Sequence, residues 1–248
     1  MGSTGSGKST ELGIKNVTMP DGTEIELEDA LEYGTDAGKG RLPQTVTDFE
    51  NKRRKAKIEY SLLTLSDGTE IESNRGGSGS VKSSLNARLR ADILTHNHPR
   101  KGLEAGLLGG TFSAGNGDNV GDITNFVHFN QKTLRAVAGE GTYSITKGAN
   151  FDGEGLLRAF IAIDRQLMQE HKKTAAQINK TRNDTWDSLR DDLQNGKIDT
   201  AQFHANSDAA YEDGNNAIRK SANSMLVKLH NWLLDNQTKY GYTYGLER

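Results

Sequence analysis

The sequence predicts an α/β (α+β) fold, with a sheet flanked by helices and a C-terminal antiparallel helical hairpin. Short apolar runs separated by Gly-containing turn signals fill the first part of the chain, as expected of strands joined in hairpins. After Asn150 the apolar residues recur at helical spacing, and Asn195-Gly196 interrupts them with a helix-ending signal. We therefore expect a flexible leader with a small β-hairpin (1–44), a sheet-containing core (45–150) and a helical extension (151–248).

Composition excludes several classes of site and partner. The chain has 248 residues, a formal net charge of -2 and a pI near 6.3, which gives no reason to expect nucleic acid or acidic lipid as partner. It contains no cysteine, so disulfides, thiolate nucleophiles and cysteine-ligated zinc are excluded. No stretch approaches the roughly 20 apolar residues of a membrane helix, and no secretory signal is present. We expect a protein of the cytoplasm or of a virion, in which only histidines and carboxylates could hold a metal.

The first residues contain a phosphate-loop pattern that we interpret as a flexible leader. Gly2–Ser9 satisfies G-x-x-x-x-G-K-[ST], but such a loop needs a buried strand before it and a helix after it. Two short strands are predicted to follow instead, around Ile14–Val17 and Glu24–Leu27, on either side of the turn Pro20-Asp21-Gly22.

Apolar alternation, turn signals and cap residues define the elements of the core. The first helix is expected to be capped by Thr45 or Thr47, and its basic run at 52–55 is interpreted as a solvated face. A glycine-rich loop is expected from Pro99 to about Asp118. The predicted elements are a helix over 45–57, strands over 58–65 and 70–73, a short helix over 83–90, a strand over 92–95, a helix over 119–130, and strands over 133–139 and 142–145.

Two long helices are predicted after the core. The second begins at a capping box, Asp199-Thr200-Ala201-Gln202, and a tight turn should fold the two helices back on each other. Their apolar stripes are narrow, so we interpret them as a stalk, an oligomerisation element or a docking arm, and a cofactor site is much less favoured. The tail, 239–248, is either a strand or a disordered end.

The strongest functional signal is His96-Asn97-His98-Pro99, which directly follows a predicted buried strand. Residues i and i+2 of a strand point to the same side, so both imidazoles can reach one metal ion about 2 Å away. A hydrolytic zinc site also needs a third protein ligand and a general base. Asp118 and Asp122 are candidates for the ligand, and Glu59 is the candidate base. Alternatively, the histidines line a turn and Glu59 faces solvent.

The order of these residues resembles the signature of JAMM (JAB1/MPN-type) metallopeptidases, Glu … His-x-His-Pro … Ser-x-x-Asp. IEYSLLTL, ILTHNHP, DITNF and TLRAVAGEGTYSI are similar to JAB-like domains of bacteriophage and prophage proteins. The resemblance covers about residues 45–147 and implies a JAB/MPN-like mixed sheet with flanking helices. It also implies that His96, His98 and an aspartate hold Zn²⁺. Glu59 would then be the general base toward the attacking water and the general acid toward the leaving amine.

The third part of the signature departs from the family pattern. Ser113 is not followed by an aspartate at the required spacing, whereas the correctly spaced pair of Asn119 and Asp122 begins with asparagine. Asp122 is favoured over Asp118 as the ligand because DITNF continues as an amphipathic helix, which Asn119 would cap. Either Ser113 or Asn119 could donate a hydrogen bond to the developing oxyanion. His128 is expected at the surface and not in the site.

These features predict a zinc metallopeptidase or isopeptidase that acts on a protein or peptide and, by the resemblance, is associated with a bacteriophage. The alternative is a phage morphogenesis or interaction protein with weak or no catalysis, which uses the JAMM-like fold and the helical hairpin for assembly. Under either function the C-terminal helices are candidates for binding a virion protein, a host protein or a second copy of the chain.

Overall fold

The computed structural model describes residues 16–18, 24–26, 43–73, 85–99, 108–116, 119–129 and 131–247. The strands are β1 (Asn16–Thr18), β2 (Glu24–Glu26), β3 (Ser61–Leu65), β4 (Glu70–Ser73), β5 (Ala91–Asn97), β6 (Gly115–Asn116), β7 (Asn119–Val120), β8 (Thr133–Val137), β9 (Thr142–Lys147) and β10 (Tyr242–Glu247). The helices are α1 (Gln44–Arg53), α2 (Leu85–Arg90), α3 (Asp122–His128), α4 (Gly153–Gln194), α5 (Thr200–Asp235) and α6 (Gln237–Tyr240). Gly2–Ser9, Pro20-Asp21-Gly22 and Asp118 lie outside the described residues.

A six-stranded mixed sheet, in the order β10-β9-β8-β5-β3-β4, forms the centre of the fold. β5 and β8 run parallel, whereas the other neighbours are antiparallel. The predicted α/β class, with helices flanking a sheet, is therefore confirmed. The tail, for which the sequence left two alternatives, forms the edge strand β10, whose Tyr242 pairs with Lys147 of β9.

Helices cover the two faces of this sheet unequally. The main core joins side chains of β3, β5, β8, β9 and β10 to α3 and to the near ends of α4 and α5, with Phe126, Phe160 and Leu233 fully buried. A smaller cluster of Val46, Phe49 and Leu62 packs α1 against the opposite face. Since neighbouring residues of a strand alternate between faces, β3 contributes to both clusters.

A buried ion cluster ties α1 and β10 to the middle of the sheet. The Arg135 guanidinium on β8 is 1% exposed and donates two hydrogen bonds to Glu247 of β10, at 2.9 and 2.7 Å. Its other edge donates to Glu50 of α1, which also accepts a hydrogen bond from Thr142. Burial alone would lower the pKa of Arg135, but its hydrogen bonds to Glu247 and Glu50 outweigh burial and raise that pKa above its usual value.

The helix boundaries confirm one cap prediction and correct another. Asp199 accepts a hydrogen bond from the backbone of Gln202 and the reciprocal bond is present, so the predicted capping box of α5 is confirmed. α1 begins at Gln44 with Pro43 at its N-cap position, so the predicted caps Thr45 and Thr47 are wrong. None of the helices in the described ranges is long and apolar enough to cross a membrane.

Candidate metal centre

Strand β5 brings both histidines to one point at its C-terminal end. The backbone of His96 lies between two neighbouring strands, opposite Ser61 of β3 and Ala136 of β8. His98 follows two residues later, and its N–H donates to the carbonyl of Val137 at 2.8 Å. The Nε2 atoms of the two rings are 3.2 Å apart. The prediction that residues i and i+2 reach one point is therefore confirmed.

Backbone carbonyls orient the ring of His98. Its Nδ1 lies 2.9 Å from the carbonyl oxygen of Gly109 and 3.0 Å from that of Gly110. Since a carbonyl oxygen can only accept, Nδ1 carries a proton, and in the neutral ring Nε2 is then the nitrogen with the free lone pair. The N–H groups of the same glycines donate to the Glu140 carboxylate, each at 3.1 Å, and Tyr143 donates its hydroxyl to Glu140 at 2.9 Å. Glu140 thus holds the loop that fixes the His98 ring.

Asp122 joins the histidines from the first turn of α3. Its Oδ1 lies 3.3 Å from Nε2 of His96, and its Oδ2 accepts hydrogen bonds from the N–H and hydroxyl of Ser113, at 2.9 and 2.8 Å. The hairpin of β6 and β7 lies between Ser113 and Asp122 in sequence and brings them together across nine positions. The lengthened spacing that obscured the motif in the sequence therefore does not separate these two residues.

The segment before α3 corrects one expectation and leaves others open. Gly121 is the N-cap residue of α3, so the prediction that Asn119 caps this helix is wrong. The backbone of Asn119 pairs with Asn116 in the β6–β7 hairpin instead. Its side chain, like all of Asp118, lies outside the described part of the chain, so its oxyanion role stays a prediction. His128 is exposed at the end of α3, as predicted.

Asn97 holds the segment that carries Glu59 next to β5. Its side-chain oxygen accepts from the N–H of Tyr60 at 2.8 Å, and its side-chain nitrogen donates to the carbonyl of Ile58 at 3.1 Å. Glu59 lies between these two anchored residues and is half-buried. Burial first, and then the negative charge of Asp122, raise the pKa of Glu59 to about 7. The carboxyl group of Glu59 therefore lies close enough to Asp122 for the charge of that side chain to act on it.

The geometry of His96, His98 and Asp122 fits a small cation. Their ligand atoms all lie within 4.8 Å of one another. Ligands at 2.0–2.1 Å from a tetrahedral zinc are about 3.3 Å apart, which agrees with two of the three pair separations, 3.2 Å from His96 to His98 and 3.3 Å from His96 to Asp122. Two imidazole nitrogens and one carboxylate oxygen form a donor set that suits zinc and several other transition metals.

The protonation states also favour metal binding. His96 is buried, which lowers its pKa to about 4, so its imidazole is neutral near pH 7 and can offer a lone pair. Burial alone would raise the pKa of Asp122, but the two imidazoles and the hydrogen bonds from Ser113 hold it below its usual value. A neutral imidazole and an ionised carboxylate are the forms that bind a cation.

A second layer of residues, which the sequence did not single out, anchors the loop beside His98. The side-chain oxygen of Asn223 on α5 accepts from the N–H of Leu108 at 3.0 Å. The Tyr244 hydroxyl bridges the Thr111 hydroxyl and Nδ1 of His230, each at 2.8 Å. The only sequence signal for this layer is that polar Asn223 and His230 stand among the apolar residues of α5.

Gly121→Ala is expected to weaken metal binding about 10–100-fold, because it disturbs the residue that starts α3 at Asp122. A Cβ at Gly121 would lie 2.1 Å from the backbone nitrogen of Gly115, so either α3 or the β6–β7 hairpin must shift. Competitive titration of Zn²⁺ against a chelating dye measures the effect. Gly214→Ala is the matched control, because its Cβ would make ordinary contacts. Equal affinity in wild type and Gly121→Ala would contradict this account of the site.

Comparison of the chain with protein-family models, with curated proteins and with solved structures found no match. The resemblance to JAMM metallopeptidases therefore stays a prediction from the motif residues. The site itself shows which of them the fold brings together: His96, His98 and Asp122, with Ser113 bound to Asp122 and Glu59 nearby.

Proposed function

We propose that this chain is a zinc-dependent metallopeptidase or isopeptidase of the JAMM class. The observation that carries the proposal is the convergence of three ligand atoms, from His96, His98 and Asp122, close enough to Glu59 for the charge of Asp122 to raise the pKa of its carboxyl group. Three protein ligands leave a fourth position open, which is the arrangement of catalytic and not of structural zinc sites. Zinc bound there would polarise the scissile carbonyl and make a water molecule acidic enough to attack it near neutral pH.

In this proposal the side chains around the cluster have distinct tasks. Glu59 accepts the proton of the attacking water as its oxygen bonds to the carbonyl carbon. The same proton then passes to the amine nitrogen as the carbon–nitrogen bond breaks, which leaves a carboxylic acid and a free amine. A carboxyl group whose pKa lies close to the working pH can make both transfers, and in the metal-free protein the pKa of Glu59 is raised to about 7. Buried His96, and His98 held by the Gly109 and Gly110 carbonyls, keep the ligand geometry fixed while this happens.

Ser113 has one role that the geometry supports and another that stays a prediction. Its hydroxyl donates to Asp122 Oδ2, which leaves Oδ1 of that carboxylate directed at His96. We propose that it orients this ligand, in the manner of the partners that surround metal ligands in other sites. Donation from Ser113 to a developing oxyanion would require its hydroxyl to leave Asp122.

The second candidate function is an assembly protein that keeps a metal-binding fold without efficient catalysis. The observation in its favour is the length of α4 and α5, whose outer parts extend away from the main core. Phage virion proteins, peptidoglycan peptides and host ubiquitin-like conjugates are the substrates or partners that the JAMM resemblance suggests. Hydrolysis that depends on the bound metal separates the two functions.

Metal content and hydrolysis together test the proposal. Wild type purified without chelator is expected to hold about one zinc per chain, since one open three-ligand site is present. His98→Ala and Asp122→Ala are expected to lose it, whereas His128→Ala, a change of an exposed histidine six residues after Asp122, should keep it. Zinc-loaded wild type should cleave members of a peptide library, detected as new termini by mass spectrometry, and a chelator should stop the cleavage. A folded wild type that holds no zinc after titration would refute the metal site. Zinc without any cleavage would favour the assembly function.

A further inference from the structure

The outer parts of α4 and α5 form a two-helix arm that lies beyond the main core. Leu167 is the last buried residue of α4, and Asn223 is the first buried residue of α5 after Gly214. Residues 168–222, which we call the arm, therefore contain one buried residue, the glycine. At 1.5 Å per residue the α4 side of the arm is about 40 Å long. Two helices alone cannot enclose a core, so the arm presents most of its surface to a partner or to solvent.

Charge is segregated along this arm. The inner half, 168–182 with 214–222, carries six basic and one acidic side chain, and the outer half, 183–213, carries eight acidic and two basic ones. The basic residues of the inner half are Lys172, Lys173, Lys180, Arg182, Arg219 and Lys220. The acidic residues of the outer half are Asp184, Asp187, Asp191, Asp192, Asp199, Asp208, Glu212 and Asp213. The arm thus has a positive base and a negative tip of nearly equal size.

The two ends of the arm also differ in apolar surface: the outer half exposes aromatic side chains, and a cleft lies between the helices near the base. The outer half exposes aromatic rings, with Trp186 46% and Tyr211 59% exposed. A cleft of about 400 Å³ lies between the two helices where the inner half of the arm joins the core, with Leu167, Ile178 and Met225 among its lining residues. Trp186 lies about 20 Å along α4 from the middle of this cleft, at 1.5 Å per residue.

We propose that two copies of this chain associate through their arms in an antiparallel, two-fold symmetric manner. The negative tip of each copy then lies along the positive base of the other, and the aromatic rings of each tip reach the level of the other copy's cleft. The result is a four-helix bundle, in which each arm finds the apolar neighbours that it lacks alone.

The charges of the arm identify a second copy as the partner. α4 and α5 are antiparallel within the arm, so each half of the arm carries mainly one sign of charge on both helices. Three tip carboxylates, Asp184, Asp187 and Asp192, have an ion-pair partner nearby in sequence, in Lys180, Arg190 and Lys197. A second arm in the same direction would place like charges together, whereas an antiparallel arm places opposite charges together along its whole length. A partner of one charge sign would complement only half of the arm. This inference is independent of the metal site.

Charge reversal tests the proposal with two variants of exposed residues. The tip-reversed variant is Asp191→Lys, Asp208→Lys and Glu212→Lys, and the base-reversed variant is Lys172→Glu, Lys173→Glu and Lys180→Glu. Sedimentation equilibrium should give wild type twice the chain mass of 27.1 kDa. Either variant alone should dimerise at least about tenfold more weakly, because three exposed charges per copy then meet like charges. An equimolar mixture of the two should recover the dimer, since every reversed charge again meets its opposite.

The mixture also distinguishes weak pairing from misfolding, because an unfolded variant cannot be rescued by the other. Ser188→Cys tests direction in this otherwise cysteine-free chain. Its two copies would lie far apart in the antiparallel dimer and should not form the disulfide that a parallel dimer would form readily. A monomeric wild type at about 100 μM, a dimer that both variants retain, or rapid Ser188→Cys crosslinking would each overturn the proposal.

Discussion

Glu59→Gln is expected to reduce peptide hydrolysis about 10²–10⁴-fold while zinc remains bound. Glutamine has nearly the same shape, but its amide cannot accept the proton of the attacking water or return it to the leaving amine. Glu59 is not among the three ligands that converge on the cation, so its change should leave the ligand set intact. The measurement is kcat/KM on a peptide that wild type cleaves, together with the zinc content of both proteins.

Two controls accompany this variant. Glu154→Gln changes an exposed glutamate at the start of α4 and should leave the rate unchanged. His98→Ala should lose zinc and activity together, which is the behaviour of a ligand and not of a general base. Full activity in Glu59→Gln would exclude the proposed mechanism even if the metal site is real.

The raised pKa of Glu59 also predicts how this variant alters stability in the metal-free protein. Burial, followed by the charge of Asp122, raises that pKa from 4.5 to about 7, so folding favours the protonated form. The stabilisation from Glu59 is complete below its unfolded pKa and is lost as the pH rises through about 7. Glu59→Gln should therefore raise the Tm of the metal-free protein more at about pH 8 than at about pH 5. An equal change in Tm at both pH values would show that folding does not raise the pKa of Glu59.

Arg135→Met is expected to lower the free energy of unfolding by about 3–5 kcal/mol, because it leaves two buried carboxylates without their shared cation. Arg135 is 1% exposed and donates to Glu50 and Glu247, which are 7% and 9% exposed. These contacts join α1 to the edge strand β10 across the sheet. Urea unfolding monitored by circular dichroism measures the loss, and an unfolded variant at 25 °C would agree with the upper end of the range.

The triple variant Glu50→Gln, Arg135→Met and Glu247→Gln is the decisive comparison. It removes the charges together, and replacement of a whole buried ion cluster is often neutral or stabilising. We expect it to be more stable than Arg135→Met alone. Lys132→Met, which removes an exposed ion pair with Asp92, should change the stability by less than about 1 kcal/mol. A triple variant as unstable as Arg135→Met would show that packing and not charge determines the loss.

The part of the site that the sequence could predict depends on local geometry. His96 and His98 stand two residues apart on one strand, so their convergence follows from strand periodicity alone. The contact of Ser113 with Asp122 was not predictable, because it depends on how far the β6–β7 hairpin closes the segment between them. The prediction that Asn119 caps α3 was wrong for the same reason, since Asn119 belongs to this hairpin and Gly121 is the N-cap residue of α3.

Elements that depend on distant contacts were the least predictable. The basic run at 52–55 was interpreted as a solvated face, but Arg54 donates to the Ala138 carbonyl at 2.7 Å and to Thr142 at 3.1 Å. The neighbouring residues in the sequence do not distinguish a half-buried arginine such as Arg54 from an exposed one, because the partners of Arg54 lie more than 80 positions away. The sequence could not decide whether the tail forms a strand. β10 is an edge strand that pairs only with β9, and this pairing is a contact between distant parts of the chain.

The place of the helices between β9 and β10 has a consequence for the order in which the protein folds. Lys147 and Tyr242 pair although 95 positions separate them, and closing a flexible loop of that length carries a large entropic cost. Once α4 and α5 have formed an antiparallel hairpin, the two ends of this segment are already close together. We therefore expect β10 to join the sheet only after the helices have docked, and Tyr244 to reach Thr111 among the last contacts. Slow closure of the turn at Asn195-Gly196, at the far end of an arm about 40 Å long, would then delay completion of the metal pocket.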